Sequence, residues 1–504
     1  MADSPGDLLP GPRVLLGPGP TMADPRVLRA MATPLLGQFD PEFTAVMNEV
    51  MELSRVVFQT RNDRAFPVPG TGRAGLEAAM VSLLEPGDRV VVGECGRFGL
   101  LMIEIAERCG ADVVPVHAEW GRIIEPDAIA RALAGGRTRM VAMIHGETST
   151  GVLQPLAEIG RLARSHGALL MADAVVTLGG SEVATDLWGV DVMVAGTQKC
   201  LSCPSGLAPI TYNARAEGVL EKRASRIRSN YLDLLQLQRY WSPARYNHHT
   251  APTSMVFGLR EALRAVVVEG LDARFERHRL HGAALRAGLA AMGLSLFGSE
   301  SGERRLPFIT PVVVPLSVDE LAVRRRLVEE FGIEIGAAFG QLQGKIWRIG
   351  TMGYSARRQN VLLCLTALES VLRAEGFDSS PSAGVEAGRA FYAKAGVTDG
   401  PMGDNLGARG IGSTQLNPLS LGGRGRRGVE EESHFQICDG RSSTARPHTA
   451  RGYTVRGDQA AARSPAPGQD ARLRSRGLSR AGPDHVLPAL VDGRPARDLR
   501  LLRA

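Results

Sequence analysis

Short β-branched apolar runs alternate with longer amphipathic stretches between residues 67 and 213. This alternation is typical of a parallel β-sheet whose strands are joined by crossover helices. The predicted strands are residues 88–93, 111–117, 140–145, 168–173, 191–195 and 207–212. The pattern therefore predicts an α/β fold built on a mainly parallel sheet.

A second region with its own helices and strands follows from residue 255. The predicted helices are residues 255–268 and 359–375, and the predicted strands are residues 306–315, 332–340 and 345–350. Beyond residue 395 the periodicity ends, and Gly, Ser, Pro and Arg dominate, which predicts disorder. The predicted division is an N-terminal arm (1–20), a large domain (21–254), a small C-terminal α/β domain (255–394) and a disordered tail (395–504).

The composition argues against several classes of protein. The apolar share of 44% is ordinary for a globular protein, and no run approaches the roughly 18 apolar residues of a membrane span. Residues 1–20 lack the basic start and apolar stretch of a secretory signal. Six scattered cysteines fit a reducing cytoplasm, and Cys200 and Cys203 have no second ligand pair for zinc. We therefore expect a cytoplasmic protein without membrane or metal partners.

The net charge of +6 is concentrated in the predicted tail. Residues 394–504 carry 18 basic and 11 acidic side chains, a net charge of +7, which leaves −1 for residues 1–393. The tail has no regular aromatic interleaving, and it contains the acidic run 430–432. We therefore expect no nucleic-acid partner, and keep as a distant alternative a non-catalytic protein that binds nucleic acid through this tail.

Polar residues follow three of the predicted strands. Lys199 follows one apolar run, Thr148 follows a second and Asp173 ends a third. A lysine after a strand is most often a solvated surface residue, so Lys199 alone is weak evidence. Strand ends in a parallel sheet meet at one edge, however, and ligands bind there. The three residues together predict a functional cleft.

An acid, a hydroxyl and a lysine in one cleft are what pyridoxal phosphate requires of a protein. The lysine binds the cofactor covalently, the acid keeps its ring nitrogen protonated, and the hydroxyl bonds its phenolic oxygen. A charge-assisted hydrogen bond of this kind contributes about 1.5–3 kcal/mol. That is enough to fix the protonation state of the ring.

Residues 70–75, Gly-Thr-Gly-Arg-Ala-Gly, open directly into a predicted helix. Backbone N–H groups at such a helix start bind phosphate. The same letters fit the GxGxxG pattern of dinucleotide-binding proteins. We disfavour that alternative because Pro67 and Pro69 should break the strand that must precede the loop.

Six short motifs occur in a fixed order along the chain: residues 16–20 (LGPGP), 69–72 (PGTG), 145–151 (HGETSTG), 173–175 (DAV), 196–199 (GTQK) and 347–350 (WRIG). In this combination, residues 12–392 resemble the class V aminotransferases, specifically the alanine/serine:glyoxylate branch. The resemblance implies a type I pyridoxal-phosphate fold and a homodimer with active sites at the subunit interface.

The resemblance also implies a role for each matching residue. It assigns Lys199 the covalent bond to pyridoxal 5′-phosphate, Asp173 the ring nitrogen and Thr148 the phenolic oxygen. The remaining implied cofactor contacts are Thr71, Gly72, Arg73 and Gln198 to the phosphate, Thr250 to the phosphate across the subunit interface, and Phe98 and Val175 on the two faces of the ring.

Arg348 lies in the apolar run 345–350, where an unpaired guanidinium is costly to bury. A carboxylate partner relieves that cost by bidentate hydrogen bonding. The partner is either an internal acid or a ligand. In the family, the matching arginine binds the α-carboxylate of the substrate.

Two further stretches, 37–41 (GQFDP) and 246–254 (YNHHTAPTS), resemble the (S)-ureidoglycine:glyoxylate aminotransferases of purine catabolism. A ureido group has a carbonyl acceptor and N–H donors that the amides of Gln38 and Asn247 complement, whereas the methyl of alanine does not. The expected reaction moves the amino group of (S)-ureidoglycine to glyoxylate, giving glycine. An alanine- or serine:glyoxylate aminotransferase is the nearer alternative, with both amides then ordinary surface residues.

Overall fold

The computed structural model describes residues 10–397. The predicted tail, 395–504, therefore lies almost wholly outside the described residues. Within residues 10–397, no helix has both the length and the apolarity to cross a membrane.

The strands follow one another through both regions. In the described residues they are β1 (Val14–Leu15), β2 (Arg64–Pro69), β3 (Arg89–Glu94), β4 (Asp112–His117), β5 (Met140–Ile144), β6 (Gly146–Glu147), β7 (Val152–Leu153), β8 (Leu169–Asp173), β9 (Val192–Val194), β10 (Leu207–Tyr212), β11 (Ile309–Val313), β12 (Ile333–Glu334), β13 (Gly336–Ala337) and β14 (Ile346–Gly350).

Helices connect most of these strands. Over the same residues they are α1 (Pro25–Met31), α2 (Pro41–Val57), α3 (Gly72–Leu83), α4 (Arg97–Arg108), α5 (Pro126–Ala134), α6 (Ala157–Ser165), α7 (Ala214–Glu221), α8 (Leu234–Tyr240), α9 (Thr253–Glu269), α10 (Leu271–Ala291), α11 (Glu320–Phe331), α12 (Arg358–Ala374) and α13 (Ala383–Lys394).

A seven-stranded sheet with the order β2-β10-β9-β8-β5-β3-β4 forms the centre of the first region. The five strands from β9 to β4 are parallel to one another. Strand β10 runs antiparallel to β9, and β2 runs antiparallel to β10. The sheet is mainly parallel, as predicted. The six predicted strands of this region match β3, β4, β5, β8, β9 and β10 to within two residues at each end.

Strand β2 contradicts the expectation that Pro67 and Pro69 break the chain before the glycine-rich loop. Both prolines lie within β2. They are tolerated because β2 is an edge strand, paired only with β10 in the central sheet. Dinucleotide binding remains disfavoured for a different reason. In a βαβ unit the strand before the loop runs parallel to its neighbours, whereas β2 is antiparallel to β10.

The described residues bury two main hydrophobic cores. The first packs the central sheet against its helices and includes Val256 and Val266 of α9. The second packs α10, α11, α12 and α13 against the three-stranded antiparallel sheet β11-β14-β13. Helix α9 thus packs with the first core, although the predicted division at residues 254/255 places it in the small domain.

The N-terminal segment packs with the second core. Strand β1 pairs in parallel with β12, and Leu16 is completely buried there. Residues 10–16 therefore pack with the C-terminal elements, although they lie near the start of the chain. This path carries the following residues, 17–20, across the end of the central sheet.

Candidate active site

Three of the predicted site residues lie where strands end. Asp173 is the last residue of β8, Lys199 follows the neighbouring strand β9, and Thr148 follows β6. Because β8 and β9 are parallel, their carboxyl ends lie side by side. The structure thus brings Asp173 and Lys199 to one edge of the sheet.

The segment 17–20 covers Lys199. Lys199 Nζ donates a hydrogen bond to the carbonyl oxygen of Pro18. Gly19 has a φ of +118°, and a Cβ on this residue would overlap Lys199 Nζ. Only glycine combines this backbone conformation with so close an approach. The LGPGP motif therefore provides the wall that faces the amine.

Burial shifts the pKa of both groups towards neutrality. Burial, assisted by the nearby negative charge of Glu147, raises the pKa of Asp173 to about 7. The N–H of Val175, which donates to Asp173 Oδ1 at 2.7 Å, acts in the opposite direction. Burial lowers the pKa of Lys199 to about 8, assisted by the positive charge of Arg348. An amine with this pKa is partly neutral, and so nucleophilic, near pH 7.

Arg348 is 3% exposed in strand β14, beside the same cleft. Its Nε and Nη2 donate to the carbonyl oxygen of Ala337, and its Nη1 donates to that of Thr148 at 3.2 Å. The ring of Phe339 covers its guanidinium, with the centroid 4.4 Å from Cζ. Burial lowers the pKa of Arg348 to about 10.

No carboxylate among residues 10–397 forms a salt bridge with Arg348, so the internal acid partner that the sequence allowed is not observed. The carbonyls of Ala337 and Thr148 use three of its five N–H groups. One N–H therefore remains on each terminal nitrogen. This pair of donors is suited to the two oxygens of a carboxylate ligand.

The glycine-rich loop leads into α3 and forms an anion cradle. Thr71 is the N-cap residue, and its side chain makes no capping hydrogen bond. A Cβ on Gly72 would lie 2.6 Å from Val175 Cγ2, so the loop needs glycine to approach the sheet this closely. Arg73 is exposed in the first turn. The free N–H groups of this helix start favour a phosphate.

Gln198 supplies a second indication that a ligand belongs here. Its side-chain oxygen is buried and has no hydrogen-bond partner among the described residues. Such a buried polar atom is costly unless a partner is supplied. Together with Asp173, Lys199 and the start of α3, this amide fits pyridoxal phosphate, which brings a pyridine nitrogen, an aldehyde and a phosphate to one cleft.

Glu147 is a residue of the cleft that the sequence analysis did not assign. Its carboxylate is 1% exposed and accepts hydrogen bonds from the N–H groups of Phe98 and Gly99 at 2.9 and 3.3 Å. Phe98 itself is half-buried at the start of α4. The only signal in the sequence was an acid within the HGETSTG motif, next to Thr148.

Gln38 and Asn247 are brought together, but not to Lys199. Gln38 Nε2 donates to Asn247 Oδ1 at 3.2 Å, and the N–H of Ala251 donates to Gln38 Oε1 at 3.1 Å. Thr250 is exposed beside them. Within residues 10–397 no hydrogen bond links these side chains to Lys199. Asn247 lines a cavity whose lining does not include Lys199.

Comparison with known proteins adds independent evidence. Residues 14–346 match the family model for aminotransferase class-V. The chain is 50% identical over 403 residues to the (S)-ureidoglycine–glyoxylate transaminase of Bacillus subtilis, covering 76% of this chain and 95% of that protein. It is 36% identical to the alanine–glyoxylate aminotransferase of Drosophila melanogaster, covering 72% and 92%.

The fold is similar to that of solved relatives. The crystal structure of ureidoglycine-glyoxylate aminotransferase from Bacillus subtilis superposes with a TM-score of 0.76 and covers 77% of this chain and 100% of that chain. This likeness confirms the predicted fold class, a mainly parallel large domain followed by a smaller α/β domain.

Proposed function

The chain belongs to the class V aminotransferases, and from this membership we propose that it moves the amino group of (S)-ureidoglycine to glyoxylate, giving glycine. As a member of the family, it is a pyridoxal-phosphate-dependent transaminase. The observation that carries the choice of donor is the hydrogen bond between Gln38 and Asn247. This bond holds the two amides together as a recognition surface for a ureido group. The chain is also 50% identical, over 403 residues, to a protein named for that donor.

Bound pyridoxal phosphate supplies the electron sink for transamination. In our proposal Lys199 Nζ holds the cofactor, and when the donor displaces it the same nitrogen carries a proton to and from the donor Cα. The lowered pKa of Lys199, about 8, suits both tasks because the amine must release and regain a proton near neutral pH. Asp173 holds the proton on the ring nitrogen.

The other cofactor contacts are proposed from the resemblance to the family. Phe98 and Val175 face the two sides of the ring in this proposal, and Thr148 bonds the phenolic oxygen. The phosphate is held by a set that surrounds the start of α3: Thr71, Gly72, Arg73 and Gln198.

Arg348 binds the carboxylate that donor and acceptor share. Its two remaining N–H groups fit the two carboxylate oxygens, and the stacked ring of Phe339 fixes the plane of the guanidinium. Because ureidoglycine and glyoxylate both carry this carboxylate next to the reacting carbon, one arginine can orient each in turn.

We further infer a homodimer in which Gln38, Asn247 and Thr250 complete the active site of the opposite subunit. Within residues 10–397 these side chains form no hydrogen bond with Lys199, and Lys199 does not line the cavity beside Asn247, which supports the inference. A cytoplasmic location is inferred from the scattered cysteines. Cys200 and Cys203 are buried, and burial raises the pKa of both thiols to about 12, so they are neutral packing groups.

The chemistry is tested by Lys199→Ala, with Lys222→Ala as the matched control at an exposed position on the end of α7. Lys199→Ala should abolish the visible absorption of the bound cofactor and reduce turnover by at least about a thousandfold, since the covalent catalyst is lost. Lys222→Ala should match the wild type in both. A Lys199→Ala protein with an unchanged spectrum would refute the assignment.

The donor is tested by comparing initial rates of glycine formation from glyoxylate with freshly generated ureidoglycine, alanine or serine. In the double variant Gln38→Ala/Asn247→Ala, kcat/KM for ureidoglycine should fall at least about a hundredfold, because the bonding partners of the ureido group are lost. The value for alanine should change less than about threefold. Equal losses for both donors would favour the alanine or serine alternative.

A further inference from the structure

Glu147 is a buried carboxylate to which the proposed function gives no role. One of its oxygens, Oε2, accepts the N–H groups of Phe98 and Gly99. The other, Oε1, accepts the N–H and the hydroxyl of Ser149 at 3.0 and 2.6 Å. Burial raises the pKa of Glu147, and these hydrogen bonds oppose that effect because they favour the ionised carboxylate.

These bonds join two segments that carry cofactor-facing residues. Phe98 lies in the first turn of α4, and Ser149 lies next to Thr148. The hydroxyl of Ser149 also accepts the N–H of Arg97 at 2.9 Å, so the start of α4 is attached to the loop at three consecutive residues. A Cβ on Gly96 would overlap the Glu147 side chain, which shows how closely the two segments pack.

The charge of Glu147 also reaches the reacting groups. It raises the pKa of Asp173 and that of Arg348, so it acts on the residues proposed to hold the ring nitrogen and the substrate carboxylate. The loop also contacts Arg348 directly, because Arg348 Nη1 donates a hydrogen bond to the carbonyl oxygen of Thr148. A change at Glu147 therefore affects more of the site than the end of one helix.

We propose that Glu147 is a positioning residue that holds Phe98 against the cofactor ring and at a fixed distance from Thr148. The inference rests on the proposed function, because the contact of Phe98 with the ring is part of it. A carboxylate at a helix start also stabilises the helix through its dipole. The experiment must separate that structural effect from positioning.

A double-mutant cycle on cofactor affinity makes this separation. Cofactor-free wild type, Glu147→Gln, Phe98→Leu and the double variant are titrated with pyridoxal phosphate. We expect each single variant to bind about tenfold more weakly, and the double variant to be no weaker than about the worse single variant. Such coupling arises only if Glu147 acts through Phe98. Additive losses of about a hundredfold, or an unchanged affinity of Glu147→Gln, would overturn the proposal.

Glu94→Gln is the matched control. Glu94 is 5% exposed and ends β3, and its carboxylate bonds to Trp120 Nε1 at 2.7 Å and His117 Nδ1 at 2.7 Å rather than to the start of α4. It should leave cofactor affinity within about twofold of the wild type and show no coupling to Phe98→Leu. The same coupling in this control would also overturn the proposal.

A spectroscopic readout accompanies the cycle. The visible circular dichroism of the bound cofactor depends on the orientation of its ring in the cleft, and it should change in Glu147→Gln but not in Glu94→Gln.

If Glu147→Gln fails to fold, Ser149→Ala replaces it in the cycle, because it removes the hydroxyl bond to Oε1 and leaves the carboxylate in place. A wild type that binds no pyridoxal phosphate refutes the proposed function; a functional wild type with additive variants refutes this inference alone.

Discussion

Asp173 binds its proton more tightly in the folded chain than in the unfolded chain, because burial raises its pKa from 3.8 to about 7. Between these values the folded state holds the proton that the unfolded state has released. Folding stability is therefore lost as the pH rises from about 4 to about 7, by roughly 4 kcal/mol for a shift of this size. The cofactor nitrogen would offset the cost by sharing the proton.

We predict that cofactor-free Asp173→Asn gains stability relative to the wild type as the pH rises through this range, since the amide has no proton to lose. Urea denaturation of both proteins at several pH values between 4.5 and 8 measures the difference. Contributions of the other titrating groups cancel in the comparison. A stability difference that stays constant with pH would contradict the burial effect at Asp173.

At the scale of elements, the inner parallel strands β3, β5, β8 and β9 were predictable because they are almost completely buried and so consist mainly of apolar residues. Strand β2 was not predictable in this way, because an edge position tolerates prolines that a central strand excludes. The predicted strand 332–340 is two short strands, β12 and β13, which pair with β1 and β14. A local pattern does not reveal that the chain changes partner at Ile335.

The same limit applies to the site. Lys199, Asp173 and Thr148 could be located because strand ends share an edge. Glu147 could not, because the partners that stabilise its charge include the start of a helix almost fifty residues earlier in the chain. The hydrogen bond of Gln38 with Asn247 joins residues even farther apart, and only the family resemblance connected the two amides.

Helix α3 gives a prediction at this scale. In Gly72→Ala, the new Cβ would lie 2.6 Å from Val175 Cγ2, so the start of the helix must move away from the cleft. We expect the affinity for pyridoxal phosphate to fall at least about tenfold, because the N–H groups of the cradle move with it. Titration of the cofactor-free variant followed by visible absorption measures the change.

Gly218→Ala is the control for this variant. Gly218 lies inside α7, and a Cβ there meets nothing within 4 Å. The substitution should leave cofactor affinity unchanged and raise the free energy of unfolding by about 0.5–1 kcal/mol, since alanine favours the helix. An affinity of Gly72→Ala equal to that of Gly218→Ala would show that the loop has room for a side chain.

At the scale of the whole molecule, the chain separates its predicted site residues into two groups. Lys199 lies at the carboxyl edge of the central sheet, whereas Gln38 and Asn247 bond to each other. A two-fold dimer reconciles them, because a symmetric interface repeats every contact and so completes two sites at once. Each site would then need Lys199 from one subunit and the amide pair from the other.

Mixed dimers test this arrangement. Expressed alone, Lys199→Ala and Gln38→Ala/Asn247→Ala should each turn over ureidoglycine at no more than about a hundredth of the wild-type efficiency. When the two are co-expressed, a mixed dimer contains one site in which Lys199 and both amides are intact and one in which all three are lost. With random pairing, half of the dimers are mixed, so activity should recover to about a quarter of the wild type. If the amides served the site of their own chain, every site of the mixed dimer would lack one component, and co-expression would restore nothing.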